Sequence, residues 1–217
     1  MLKLGFLRRA GTDLRILCLG AHADDIEIGC GGTLLRLLAE QGRVSVDWVV
    51  FSATPTRARE ARRCAGLFLE KAKSATVSIE RFRDGFFPSE SARIKRHFER
   101  LKRRASPDLL FAPYRGDAHQ DHRLLGELAW NTFRDHLILE YEIPKYDGDL
   151  GSPGFYVPLD EPTCRDKVRF LRTAFRSQRN RTWFTEDTFW SILRLRGVES
   201  NSSTAYAEGF YCRKVVL

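Results

Sequence analysis

The chain has 217 residues, of which 43% are hydrophobic and 15 are Phe, enough apolar material for one sizeable core. No run approaches the roughly 18 consecutive apolar residues that a membrane-spanning helix requires. The basic N-terminus, through Arg15, has neither the apolar stretch nor the small-residue cleavage site of a secretory signal, so the expectation is a cytoplasmic protein. The formal net charge is +8, but its basic residues alternate with acidic ones and lack interleaved aromatic platforms; this argues against nucleic acid and leaves a solvated helix face, an anionic small substrate or an anionic membrane surface.

The first element is a strand at Arg15–Leu19, an apolar run of the kind found in buried parallel strands. Gly29, Gly31 and Gly32 suggest a tight turn into a helix at Thr33–Gln41, closed by Gly42. A β-branched strand, Val44–Phe51, leads through Pro55 to a helix over Arg57–Glu70. Thr76–Ile79 reads as a third strand, followed by the loop Arg83-Asp84-Gly85. Ser89 or Ser91 is expected to cap a basic helix ending near Arg104. A fourth strand, Leu109–Ala112, precedes a helix at Arg123–Phe133. Residues 138–159 carry extended runs, Leu139–Ile143 and Phe155–Val157, among Pro and Gly, and read as a late strand plus a substrate-facing loop. Helices at Cys164–Arg176 and Asp187–Leu195 and a strand at Gly209–Val216 complete a single α/β domain spanning 1–217. The βα alternation predicts a Rossmann-like, mostly parallel sheet with helices on both faces. The five cysteines are odd in number and form no Cys-x-x-Cys pair, which fits reduced, buried thiols.

Two strand ends break into polar knots. The first holds His22, Asp24, Asp25 and Glu27; the second is Asp117-Ala-His119-Gln-Asp121-His122. Ligands of open α/β sheets bind outside the carboxyl ends of the strands, where both knots fall. Any one of these residues alone reads as a cap or a surface side chain. Together, three His and several carboxylates would crowd like charges unless a cation organised them. His22, Asp25 and His122 supply the three-ligand, open-position set of a catalytic metal site. One zinc ion per chain suits these nitrogen and oxygen donors, and iron, manganese or cobalt fit the same set. Asp24 would stand beside the metal as a general base. His119, opposite, would stabilise an oxyanion or protonate a leaving amine, and Asp121 would hold the His119 ring in its tautomer.

The stretch Ala21-His-Ala-Asp-Asp-Ile-Glu-Ile-Gly-Cys-Gly-Gly-Thr33 resembles the Ala-His-Pro-Asp-Asp-Glu signature of the PIG-L/LmbE-like zinc-dependent N-deacetylases. Pro113-Tyr-Arg-Gly-Asp-Ala-His-Gln-Asp-His122 resembles that family's His-Pro-Asp-His signature. Weaker likenesses lie at Arg57–Gly66, Asp84-Gly85, Ser177-Gln178 and Tyr206–Phe210, so the resemblance extends over nearly the whole chain. It implies metal ligation by His22, Asp25 and His122, base catalysis by Asp24, oxyanion or acid duty for His119, and an orienting role for Asp121. It also implies hydrolysis of the N-acetyl group of an N-acetylglucosamine-type sugar and leaves room for a homo-oligomer. Ala23 departs from the family's Pro and Ile26 from its acidic residue, while Tyr114 is a weak counterpart of an assisting tyrosine.

Arg57 or Arg59, after the second strand, and Asp84 are the expected substrate contacts, reaching sugar hydroxyls or a phosphate. With the basic excess they suggest a nucleotide sugar or another anionic glycan precursor. One rival is a two-metal metallo-β-lactamase-like esterase, suggested by the Asp-x-His-x-Asp-His spacing at 117–122; that fold opens with hairpins and has no use for the first knot. A dinucleotide or S-adenosylmethionine loop at 20–32 fails on glycine spacing and would set an Asp pair against phosphate. A basic polyanion-binding module without catalysis leaves both knots unexplained.

Overall fold

The computed structural model describes residues 13–216; the basic N-terminal stretch up to residue 12 lies outside them. It is one α/β domain with a seven-stranded sheet. Its elements are β1 (Leu14–Gly20), α1 (Asp25–Gln41), β2 (Val44–Val50), α2 (Pro55–Phe68), β3 (Ser74–Ile79), α3 (Ser91–Arg104), β4 (Leu109–Pro113), α4 (Gln120–Thr132), β5 (Leu137–Tyr141), β6 (Phe155–Leu159), α5 (Glu161–Ala174), α6 (Glu186–Glu199) and β7 (Tyr206–Cys212). The strand order is β3-β2-β1-β4-β5-β7-β6. The first five strands run parallel, and β7 is antiparallel to both β5 and β6. A central parallel sheet of this kind is not the hairpin-led sandwich that a metallo-β-lactamase-like reading requires.

Burial explains the layering. Along β1, Leu14, Ile16 and Cys18 join one core cluster, while Leu17 and Leu19 join the other, as the two-residue period of a strand demands. The first cluster takes Leu34 and Leu37 of α1, Phe68 of α2, Leu171 of α5 and Phe189 of α6. The second takes Ile94 and Phe98 of α3 and Leu125 of α4. Each face of the sheet is therefore covered by helices. None of the five cysteines is paired, and Cys18, Cys30, Cys64 and Cys164 are buried. No helix of the described residues is long and apolar enough to cross a membrane.

Three expected boundaries move. Helix α1 begins at Asp25, eight positions before Thr33, because Gly29, Gly31 and Gly32 are not a turn. They lie inside the helix, where a Cβ on Gly29 would collide with the ring of Tyr141 and one on Gly31 with Phe68. Glycine there permits close approach of helix and sheet, and Gly42, at φ 63°, does close the helix. Helix α4 begins at Gln120, so Asp121 and His122 belong to its first turn. The last strand is Tyr206–Cys212, set by pairing with β5 and β6 on its two sides. Neither Ser89 nor Ser91 caps α3, because that helix runs on directly from a 3-10 turn at Phe87–Glu90.

Candidate metal centre and active site

Strands β1 and β4 are neighbours at the centre of the sheet, with Ile16 opposite Leu109 and Cys18 opposite Phe111. From β1 the chain winds outward to β2 and β3 on one side, and later to β4 and β5 on the other. The order reverses between β1 and β4, which is where open α/β sheets form their crevice. Both polar knots leave the sheet at that point, one into α1 and the other into α4.

His22 Nδ1 and His122 Nε2 lie 3.1 Å apart. Asp25 Oδ2 is 3.7 Å from the first and 3.3 Å from the second. A tetrahedral zinc ion with ligands at about 2.0–2.1 Å separates neighbouring ligand atoms by about 3.3 Å, so this triangle has the dimensions of three such ligands. The far ring nitrogens fix the tautomers. His122 Nδ1 is 2.9 Å from Asp117 Oδ2, and His22 Nε2 is 3.0 Å from Asp84 Oδ1 and 3.4 Å from Asp121 Oδ2. Ionised carboxylates only accept, so those nitrogens carry the hydrogens and two lone pairs face each other beside a carboxylate.

A proton or a cation must relieve that confrontation. Burial disfavours the imidazolium of His22, but hydrogen bonds to Asp121 and Asp84 outweigh it and raise its pKa to about 10. Burial likewise opposes His122, and the charge of Asp25 with the bond to Asp117 raises it to about 9. The donor set thus fits a divalent ion, which would take the place of those protons. His22, Asp84 and His119 form a second cluster with ligand atoms within 4.8 Å of one another, but it shares His22 and its Asp84 is mostly exposed.

Asp24 has a different setting. Arg57 Nη2 is 2.7 Å from its Oδ1, and its buried Oδ2 has no hydrogen-bond partner. Burial raises its pKa against the pull of the Arg57 charge, and the charge of Asp25 adds to the rise. The product is a carboxylate more basic than usual, with one oxygen anchored and one free. Asp25 goes the other way: burial works against its ionisation, yet the charges of His122 and His22 hold it well below the usual range. Glu27, fully buried with no partner for either oxygen, is pushed well up by burial.

His119 is the N-cap of α4, and its Nδ1 accepts the backbone N–H of Asp121 at 3.2 Å. A backbone amide can only donate, so Nε2 bears the hydrogen of the neutral ring. Burial, followed by the charges of His122 and His22, lowers the His119 pKa and keeps that ring neutral.

Most residues singled out in the sequence converge here, with three revisions. The Asp121 carboxylate does not hold the His119 ring. It accepts the N–H groups of Gly85 at 2.7 Å and Phe87 at 3.1 Å and approaches His22, while the backbone N–H of Asp121, not its carboxylate, meets the His119 ring. Arg57 is committed to Asp24 and lies over the ring of Phe175, 5.6 Å from its centroid. Arg59 is exposed and donates to Thr56 within its own helix. Asp84 is brought against His22. Three residues gained no role from the sequence. Asp117 fixes His122 and also accepts the N–H of His119 at 2.7 Å. Lys145 contacts Asp117 at 3.0 Å and Asp149 at 2.6 Å, and Asp149 accepts the N–H of Ala118. Asp117 was visible within the second knot, five positions before His122; Lys145 and Asp149 sit in a distant loop with no motif around them.

The sequence profile of the PIG-L family, described as GlcNAc-PI de-N-acetylase, matches residues 17–133, more than half of the chain. Among solved structures, a conserved protein from Thermus thermophilus superposes with a TM-score of 0.70 at 23% identity, over 94% of this chain and 96% of that one. The N,N'-diacetylchitobiose deacetylase of Pyrococcus horikoshii gives 0.66 at 22% identity, over 92% and 83%. The 4-carboxy-2-hydroxymuconate hydratase GalB of Pseudomonas putida gives 0.72 at 17% identity, over 94% and 98%. The fold is thus shared by proteins named for two different chemistries, and the side chains at the crevice must distinguish them.

Proposed function

This chain belongs to the PIG-L family, and from that membership we propose that it is a metal-dependent hydrolase removing the N-acetyl group of an N-acetylglucosamine-type sugar. One observation carries the reading: a half-free, basic Asp24 and a neutral His119 flank a triangle of His22, Asp25 and His122 lone pairs. Hydrolysis of an amide needs a base for water, a donor for the oxyanion and a Lewis acid, and these residues supply or hold all three.

His22, Asp25 and His122 would hold the ion, with zinc, one per chain, the first candidate. The ion supplies Lewis-acid polarisation of the acyl carbonyl and acidifies water. Asp24, anchored through Oδ1 by Arg57, takes the proton of the attacking water on Oδ2. His119 Nε2–H donates to the oxygen that becomes negative as the carbonyl turns tetrahedral. The proton on Asp24 then passes to the departing nitrogen, so that water and amide become acetic acid and amine, which ionise to acetate and ammonium with no proton gained or lost overall. Arg57 therefore acts on the base rather than on a sugar hydroxyl. Asp84 remains the candidate acceptor for sugar hydroxyls, and the loop between β5 and β6 is the candidate wall of the substrate site.

The test is acetate release across a panel of N-acetylated sugars, with and without a chelator. Release that a chelator abolishes and added zinc restores is the expected result. Absence of acetate from every N-acetyl sugar with metal present, or turnover indifferent to the chelator, would overturn the proposal.

A further inference from the structure

The segment after β3 faces two ways. Asp84 and Gly85 touch His22 and Asp121, whereas Ile79 to Phe82 form one wall of a groove of about 450 Å³. The opposite wall is the face of α3 bearing Arg93, Arg96 and Arg100. These positions, three and four apart, stack along one side of the helix, and Arg81 faces them from the other wall. Four guanidinium groups thus share the groove with one carboxylate, Glu80.

Their pairing leaves a positive excess. Arg93 is paired with Glu90. Arg100 donates to Nδ1 of His97 at 3.2 Å, and burial together with the charges of Arg100 and Arg104 lowers the His97 pKa, so this neighbour neutralises nothing. Arg81 and Arg96 have no acidic partner among the described residues. Like charges at this helical spacing repel. A planar guanidinium fork matches phosphate oxygens two at a time, and the groove has the volume of a small-molecule site, roughly 300–1,000 Å³. Only Arg83 separates Phe82 in the groove wall from Asp84 beside His22, so their Cα atoms lie at most about 7 Å apart. The groove and the His22 cluster therefore border the same short segment of chain.

We propose that the groove is an anion subsite for a phosphoryl or diphosphoryl group carried on the acetylated sugar. The inference rests on the deacetylase reading and sharpens its substrate class. The sugar's N-acetyl group lies at the His22–Asp25–His122 centre, and the phosphoryl oxygens lie between Arg81 and α3. Charge, rather than shape, selects the ligand there.

The Arg81→Ser/Arg96→Ser double variant changes only side chains outside the catalytic set. Acetate release from N-acetylglucosamine, N-acetylglucosamine 1-phosphate and UDP-N-acetylglucosamine is compared in this variant and the parent protein, both metal-loaded. The parent should favour at least one phosphorylated sugar by about tenfold or more in kcat/KM. The variant should lose that advantage through KM, with turnover of N-acetylglucosamine unchanged. Equal efficiency of the parent on all three sugars, or an equal loss on all three in the variant, would overturn the subsite. Inorganic phosphate should compete with the phosphorylated sugar in the parent only; inhibition of the neutral sugar as well would assign the groove to a free anion and sink the substrate assignment. If none of the sugars releases acetate, the deacetylase reading falls, and calorimetry with inorganic phosphate decides the groove separately. Binding lost in the variant supports an anion site, and equal or absent binding refutes it.

Discussion

Asp24 and Asp25 are adjacent carboxylates with opposite proton affinities. Burial without a full set of partners raises Asp24, while the imidazoles of His22 and His122 hold Asp25 down. Asn at position 24 keeps the shape and the Arg57 contact but cannot take a proton. Asp24→Asn should bind zinc as the parent does while losing about 10²-fold to 10⁴-fold in kcat; His22→Ala should lose the metal itself, read by metal analysis of the purified protein. Arg57 lowers the Asp24 pKa, so Arg57→Met should raise it further. A base works only when ionised, and the acid limb of the kcat/KM–pH profile should therefore move to higher pH. An unmoved limb would show that Asp24 is not the titrating base.

At the scale of elements, α1 and the loop between β5 and β6 matter most. Glycine is entropically costly inside a helix, by roughly 0.5–1 kcal/mol against alanine, and α1 accepts that cost so that it can lie against Tyr141 and Phe68. Gly29→Ala should therefore destabilise the protein, by about 1–3 kcal/mol for an overpacked core. Gly66→Ala in α2, where an added methyl meets nothing within 4 Å, should instead stabilise by about 0.4–1 kcal/mol. Urea unfolding of the two variants should show midpoints moving in opposite directions. In the loop, Lys145 ties Asp149 and Asp117 together, and Asp117 in turn orients His122. Lys145→Met should weaken zinc binding by about 10–100-fold, the usual loss when an outer hydrogen-bond partner of a ligand is disturbed, measured by competition with a chelator of known affinity.

Across the whole molecule, the centre joins the start of α1 to the start of α4, two elements rooted in neighbouring strands but about a hundred residues apart in sequence. A metal that binds only the folded arrangement stabilises it by mass action, about 2.7 kcal/mol at a hundredfold excess over Kd. Adding a chelator should accordingly lower the Tm of the parent, whereas the Tm of His22→Ala should not respond. A shared Tm response in both would mean that the stabilising ion binds elsewhere.

The two knots, and with them the convergence of His22, Asp24, Asp25, His119 and His122 as a candidate site, could be read in the sequence because each follows an apolar run, and such runs announce strand ends without tertiary information. The parallel α/β class was legible for the same reason: period and alternation are local properties. The sequence did not show why α1 is rich in glycine, since a turn and a close approach require the same residue and only Tyr141 and Phe68, brought in from elsewhere, distinguish them. Nor did it assign the Asp121 carboxylate to Gly85 and Phe87, or Arg57 to Asp24. Those choices depend on the position of α4 and α2 over the crevice, and chain spacing carries no such distance. Lys145 and Asp149 were silent for the same reason. The local order of residues determined which candidate groups this protein holds; the reversal of strand order between β1 and β4 decided which of those side chains meet.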